Sequence, residues 1–350
     1  MIRSHRMPSV RPAALFGLLA LLLCFPGDAA AGAAQGVTLC AEQLIPSLLP
    51  FMVVCEWLMR DPDAHRVGAV CVPLARAMGC RAPTGGTVLL LSWLGGFAAS
   101  ARTIGIAYRA GQLTRREAEA LLPGCIAPSP AFILVTVGGL MLGRPRLGTA
   151  LLAAVFGANL LCGVLIGQIW HRLPQPLDHT PTVQHREAPA SGFAAAAGSS
   201  AQSMLVVCAL VVFFSAVSGV CARLLPGESG RLPAVLLEMT NGCRVFAASD
   251  ILRAEGCCAA LSWLGVSALV QVRALLPQEI SLTPLIAARA VHLPCALLLL
   301  RLFLRLLPGE TAAFSSLPPQ VFPMSRTAPD AAFVLFLLCC VTLHRLERTA

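Results

Sequence analysis

Apolar residues run along this chain in long blocks, separated by short polar or proline-rich stretches. Such blocks predict helices, and those near twenty residues are long enough to cross about 30 Å of hydrocarbon. The first run, residues 13–25, follows Arg3, Arg6 and Arg11 and precedes Pro26, Gly27 and the small residues 29–34. That layout suits a cleaved signal peptide and a first membrane helix alike. The many runs downstream favour an uncleaved signal-anchor with a cytoplasmic N-terminus. Residues 44–59 come next, with Pro46 and Pro50 in the first half and Glu56 near the end. Residues 67–80 are short, amphipathic and accompanied by Arg66, Arg76 and Arg81, which predicts an interfacial helix. Residues 87–110 are long enough to span, yet Gly95, Gly96, Ala98, Ala99, Ser100 and Ala101 form a small-residue patch followed at once by Arg102. Thr114 and Glu117 have capping-box spacing, so a helix starts there. It soon meets Pro123, Pro128, Ser129 and Pro130, and the runs 132–142 and 147–170 follow.

Residues 171–190 hold four prolines and several charges without apolar periodicity, and divide the chain into halves. Beyond them, 203–222 reads as a clean span. Residues 232–246 are apolar but carry Glu238, Asn241, Gly242 and Arg244, and predict a broken or re-entrant segment. The runs 257–276, 283–307 and 331–344 complete the chain. The division this supports is an N-terminal signal-anchor at 1–38, a first membrane repeat at 39–170, a linker at 171–200, a second repeat at 201–307 and a tail at 308–350. The expected fold is an all-α polytopic membrane protein with about 8–10 transmembrane helices, some of them broken or re-entrant.

An internal echo supports related halves. LSWLG occurs at 91–95 and again at 261–265, with an arginine (Arg102, Arg273) within eight residues of each copy. MVVC at 52–55 is echoed by LVVC at 205–208. Duplicated halves with Gly/Pro-interrupted segments are a mark of transporters that bind their solute between the halves.

Composition sharpens the membrane reading. Hydrophobic residues are 57% and charged residues 12%, with mean hydropathy +0.76, whereas soluble domains carry about 25% charged residues. The net charge of +9 comes from arginine, since the chain has no lysine. The arginines are scattered along the loops, so they read as cytoplasmic anchors rather than a nucleic-acid face. Most of the 15 cysteines lie in apolar runs without a C-x-x-C, as small hydrophobes rather than metal ligands. No protease, hydrolase or P-loop motif is present, and a P-loop needs a lysine that the chain lacks. The expectation is a non-enzyme without a cofactor, with the identity of any coupling cation left open.

What carries chemistry is a set of ionisable groups at membrane depth: Glu56, Arg102, Glu238, Arg244, Arg273, Arg289 and His292. Such groups are costly in lipid and face a cavity or a partner. Helix N-termini and bidentate arginines together suit a small anionic or polar solute.

The same segments resemble a known family. Residues 45–59 (IPSLLPFMVVCEWLM), 95–122 (GGFAASARTIGIAYRAGQLTRREAEALL), 127–148 (APSPAFILVTVGGLMLGRPRLG), 236–243 (LLEMTNGC) and 265–292 (GVSALVQVRALLPQEISLTPLIAARAVH) resemble, in order, motifs of the YlbJ-type sporulation integral membrane proteins, within the nucleoside-recognition or Gate-domain membrane proteins. Two departures stand out. The family's Pro–Gly break is here Ala98–Ala99–Ser100–Ala101, which predicts a softer break, and its polar pair before Ser–Pro is here Ile126 and Ala127. The resemblance implies a fold related to concentrative nucleoside transporters, a role in endospore formation, a membrane around the developing spore, and passage of a solute such as dipicolinate. The candidate solute-binding residues are Arg102, Ser129, Glu238, Asn241, Gln271, Arg273 and Arg289, of which the three arginines would suit a dicarboxylate. The expected partners are the lipid bilayer and a small solute, not nucleic acid, and a homo-oligomer is left open. The competing reading is a membrane scaffold for spore-envelope (cortex) assembly that transports nothing.

Overall fold

A computed structural model of the chain describes residues 10–59, 68–173, 192–225, 232–249 and 252–306, with Asp61 and Arg66. The run at 331–344 and most of the linker lie outside the described residues. Every regular element among the described residues is helical. In chain order they are α1 (Val10–Cys24), α2 (Pro26–Leu39), α3 (Ile45–Met59), α4 (Val72–Ala77), α5 (Thr84–Arg109), α6 (Arg115–Cys125), the π-helical α7 (Phe132–Met141), α8 (Pro145–Arg172), α9 (Phe193–Leu224), α10 (Leu232–Leu237), α11 (Met239–Ala247), α12 (Arg253–Trp263), α13 (Gly265–Leu275) and α14 (Thr283–Leu306), with a short π-helix (Cys40–Leu44) between α2 and α3 and a 3-10 turn (Gly68–Cys71) before α4. Helix α9 starts at Phe193, inside the stretch that composition reads as linker.

Five helical stretches are long and apolar enough to cross a membrane: α5, α8, α9, the α12–α13 stretch and α14. A sixth is available if α1 and the helix after it count as one span bent by 96°. The chain is therefore a multi-pass membrane protein, with fewer crossings among the described residues than the eight to ten expected. The reason is physical. Several apolar runs counted as crossings are half-length helices, such as the ten residues of α7 and the fifteen of α3, and a crossing needs about twenty residues.

Small residues set a close contact between α2 and α9. Gly32 and Gly36 on α2 lie against α9, where an added Cβ would come within 2.4 Å of Ser215 O and 2.9 Å of Val212 Cα respectively. This four-residue spacing of glycines lets backbones approach where no hydrophobic drive separates helix from lipid. Thr114 and Glu117 form the capping box their spacing predicts, and α6 begins at Arg115. Glu117 also accepts from the backbone N–H groups of Arg81 and Ala82, at 2.9 Å each. Buried Glu119 accepts from Trp170 Nε1 at 2.9 Å and from Ser281 N at 2.8 Å, which ties α6 to α8 and to the approach to α14.

A closed cavity among four helix breaks

Four interruptions in the helices come together in pairs. The first is inside α5 at Gly96, with φ 78° and ψ 179°, a conformation essentially reserved for glycine. Ser100 Oγ lies within hydrogen-bond distance of the Gly96, Cys125 and Ser92 carbonyls, at 2.8, 3.0 and 3.2 Å. In this chain Gly96 makes the break, and Ser100 occupies the freed carbonyls. The second lies between α6 and α7, where residues 126–129 leave the helix and Pro128 and Pro130 disfavour helix in the residues before them. Ser129 Oγ then accepts from Phe132 N at 3.2 Å at the start of α7. The two breaks touch, since a Cβ on Gly96 would lie 2.9 Å from Ser129 N.

The third break separates α10 from α11. Glu238 is extended (φ −142°, ψ 123°), and its Oε2 accepts from Asn241 N at 2.7 Å, capping α11. The sequence predicts this break. The fourth separates α12 from α13 at Leu264 (φ 70°) and Gly265 (φ 77°). A Cβ on Gly265 would lie 3.0 Å from both Leu237 O and Met239 N. This break touches the third as Gly96 touches the second.

Both copies of LSWLG sit at these crossings. Trp93 Nε1 donates to Gly124 O near the end of α6, at 2.9 Å, and Trp263 Nε1 donates to Leu236 O near the end of α10, at 3.3 Å. In each copy the indole holds a carbonyl on the neighbouring broken helix.

Between the two crossings lies a closed cavity of about 20 Å³, room for roughly one water. Phe97, Ser129 and Phe132 line it from the first crossing, and Glu238, Met239, Thr240 and Gln271 from the second. The N-terminal residues of the half-helices after three of the breaks are thus at the cavity wall, where backbone N–H groups and the positive dipole end concentrate. Gln271 is 1% exposed, its Nε2 donates to Ser267 Oγ at 2.9 Å, and its Oε1 has no hydrogen-bond partner among the described residues. A buried amide oxygen left unpaired costs about 1–3 kcal/mol, so it stands ready for a donor.

The candidate residues divide. Ser129, Glu238 and Gln271 converge on the cavity. Asn241 stands at its edge, with its backbone N–H on Glu238 and its side-chain Nδ2 donating to Ser215 Oγ at 3.2 Å. The three arginines lie elsewhere. Arg102 donates through Nε to Glu56 Oε2 at 2.6 Å, and through its terminal nitrogens to Ser199 Oγ and Ser203 Oγ, joining α3, α5 and α9. Arg273 caps its own helix end, donating to the carbonyls of Ile280 at 2.6 Å, Leu276 at 3.0 Å and Pro277. Buried Arg289 donates to Ile126 O at 2.8 Å and Ser262 O at 3.3 Å, the carbonyl ends of α6 and α12, and to Asn159 Oδ1 at 3.4 Å. His292, one turn on, lies 3.2 Å from Val155 O through Nε2.

Sequence reasoning missed Gly96, Leu264, Gly265 and Thr240. The Gly95–Gly96 pair and the glycine closing the second LSWLG are the signals that could have found the breaks. Thr240 could have been found from its place between Glu238 and Asn241.

Comparison with known proteins adds one relative. The chain is 26% identical over 166 residues to the sporulation integral membrane protein YlbJ of Bacillus subtilis (strain 168), a match covering 47% of this chain and 41% of that protein. No family model matches the chain. No solved structure matches it either. The chain is thus similar over less than half its length to an integral membrane protein of sporulation.

Proposed function

We propose that this chain passes a small polar solute across a membrane of a spore-forming cell, through the cavity between its broken helices. One observation carries the reading: four helix breaks surround a closed cavity in which a buried amide oxygen, Gln271 Oε1, has no partner. Irregular backbone at membrane depth is tolerated where it is buried in protein or lines a water-filled path, and broken helices at a central site are how many transporters hold a solute. Ser129, Glu238, Asn241 and Gln271 are the solute-facing residues in this reading, and the arginines are positioning residues. The spore context comes from the named relative. Kinship with nucleoside-recognition and Gate-domain proteins, and descent of the two halves from one repeat, belong to the same proposal. The paired LSWLG crossings support them.

The chemistry of the wall narrows the solute. It holds one carboxylate and no arginine. A neutral, hydrogen-bonding molecule, or one with a cationic group, suits Glu238 better than dipicolinate. A dianion would require Arg102, Arg273 or Arg289 to leave the partners described above.

The test is uptake into proteoliposomes of labelled nucleosides, amino acids and dipicolinate, with and without a sodium or proton gradient, beside a Gln271→Leu variant. Saturable uptake of one solute, lost in the variant, is the expected result. Absence of uptake of any of them by protein shown to be folded would favour the non-transporting scaffold. Uptake of dipicolinate alone would overturn the solute class.

A further inference from the structure

A second, larger space lies on the other side of α11. It is an open cleft of about 750 Å³ between α2, α9 and α11, within the usual size of a small-molecule site. Its polar lining comes from all three helices: Asp28 and Gln35 on α2, Ser215 and Ser218 on α9, Asn241 and Arg244 on α11. Asp28 and Arg244 both line this cleft, and neither side chain makes a hydrogen bond or a close ion pair among the described residues, the nearest opposite charge to act on Arg244 being Glu238 at the start of its own helix. Ser218 Oγ is buried there without a partner. A carboxylate and a guanidinium left unpaired on helices of a membrane protein are affordable only where water or a ligand solvates them. The cleft offers one side chain of each sign, Asp28 from α2 and Arg244 from α11.

Helix α11 is the wall between this cleft and the closed cavity. Glu238, Met239 and Thr240 line the cavity, whereas Asn241 and Arg244 line the cleft. Asn241 joins the two sides, its side chain on Ser215 in the cleft and its N–H on the Glu238 carboxylate.

We propose that this cleft is a binding site for a small molecule carrying an ammonium and a carboxylate, with Arg244 holding the carboxylate and Asp28 the ammonium. Its role as the antechamber of the solute path rests on the transport reading above; its binding chemistry does not. Arginine suits the carboxylate through its planar fork, and the neutral hydroxyls and amides between the two charges hydrogen-bond whatever lies across the cleft. A phosphatidylethanolamine headgroup shares the ammonium-plus-anion chemistry, and the experiment separates it from a free solute.

The full chain, purified in maltoside detergent, is titrated with a ladder of amino acids from glycine through β-alanine to 5-aminopentanoate, with propionate and propylamine as single-charge controls. Thermal stability and equilibrium binding are read. One length should bind best and raise the melting temperature, because the two walls set the span. Arg244→Gln and Asp28→Asn should each weaken binding by about tenfold or more, the loss of one charge-assisted hydrogen bond. The exchange Asp28→Arg with Arg244→Asp should recover part of it with the ligand reversed, which a misfolded protein cannot do. Propionate binding as well as the best amino acid would overturn the site, and so would no binding of any ladder member to folded protein. Stabilisation in nanodiscs by phosphatidylethanolamine alone, with no response to the ladder, would assign the cleft to lipid and overturn it as a solute site. Binding without uptake in proteoliposomes would sink the transport reading and leave this site standing. Uptake of a solute by protein that binds no ladder member would do the reverse.

Discussion

The two crossings use different chemistry for one geometry. At the first, Pro128 and Pro130 disfavour helix in the residues before them, Gly96 adopts a conformation open to glycine, and neutral hydroxyls of Ser100 and Ser129 occupy the freed backbone groups. At the second there is no proline. Leu264 takes a left-handed conformation, at a cost of about 1–2 kcal/mol, and its fully buried side chain offsets that cost. There the cap is a carboxylate, Glu238, on a shorter hydrogen bond. The first crossing is thus held by covalent restriction, which no change of partner relieves. The second is held by packing and by one charged cap, which a ligand can compete for.

The sharpest way to break the comparison is to remove what joins the crossings. Arg289 alone among the described residues holds a carbonyl end from each, Ile126 and Ser262. Arg289→Leu leaves both acceptors buried without their donor, and we expect a loss of about 3 kcal/mol or more in thermal unfolding in detergent. A loss under about 1 kcal/mol would mean the crossings stand independently.

Next come the glycines. Gly96→Ala and Gly265→Ala each force a Cβ into the facing break, at 2.9 and 3.0 Å from backbone atoms. We expect each to cost about 2 kcal/mol, with Gly96→Ala the worse because its ψ near 180° admits essentially glycine alone. The reverse order would put the rigid crossing on the other side.

The caps should differ more modestly. Glu238→Ala should cost about 1–2 kcal/mol, against about 0.5–1 for Ser129→Ala, since the charged, 2.7 Å bond is the stronger. Glu238→Gln keeps an acceptor at the same place and should recover most of that loss. Equal losses at the two alanine variants would remove the distinction between a charged and a neutral break.

The smallest effect is expected at the repeated tryptophans. Trp93→Phe removes a 2.9 Å bond and Trp263→Phe a 3.3 Å bond at a more exposed site, so losses of about 1 and about 0.5 kcal/mol are expected. Indole fluorescence and thermal melts would read both.

Much of the fold follows from short-range signals. Hydropathy locates the long helices to within a few residues except at α9, which starts well before its apolar run, and Thr114 with Glu117 marks the start of α6. The prolines near Ser129, and Glu238 with Asn241 inside an apolar run, mark two of the four breaks. Among the described residues five or six spans appear where eight to ten were expected over the whole chain, because hydropathy does not tell a half-length helix from a full one. At the fourth break Gly265 was the one local signal, since a left-handed leucine has none of its own, and Gly265 packs against the 238 segment.

The arginines show the boundary most clearly. Sequence by itself put Arg102, Arg273 and Arg289 within or near the ends of apolar runs, where bare charge is costly and each is expected to need a partner or to reach the interface. It also singled out Glu238 and Gln271. Which partner each arginine takes was decided elsewhere. Arg273 turns to carbonyls within seven residues, but Arg102 finds Glu56 across 46 residues, and Arg289 finds Ile126 across 163. Those choices depend on which helix ends the bundle brings together. Only the tertiary structure decides that, because a guanidinium satisfies a carboxylate, a carbonyl end or a solute with the same five donors.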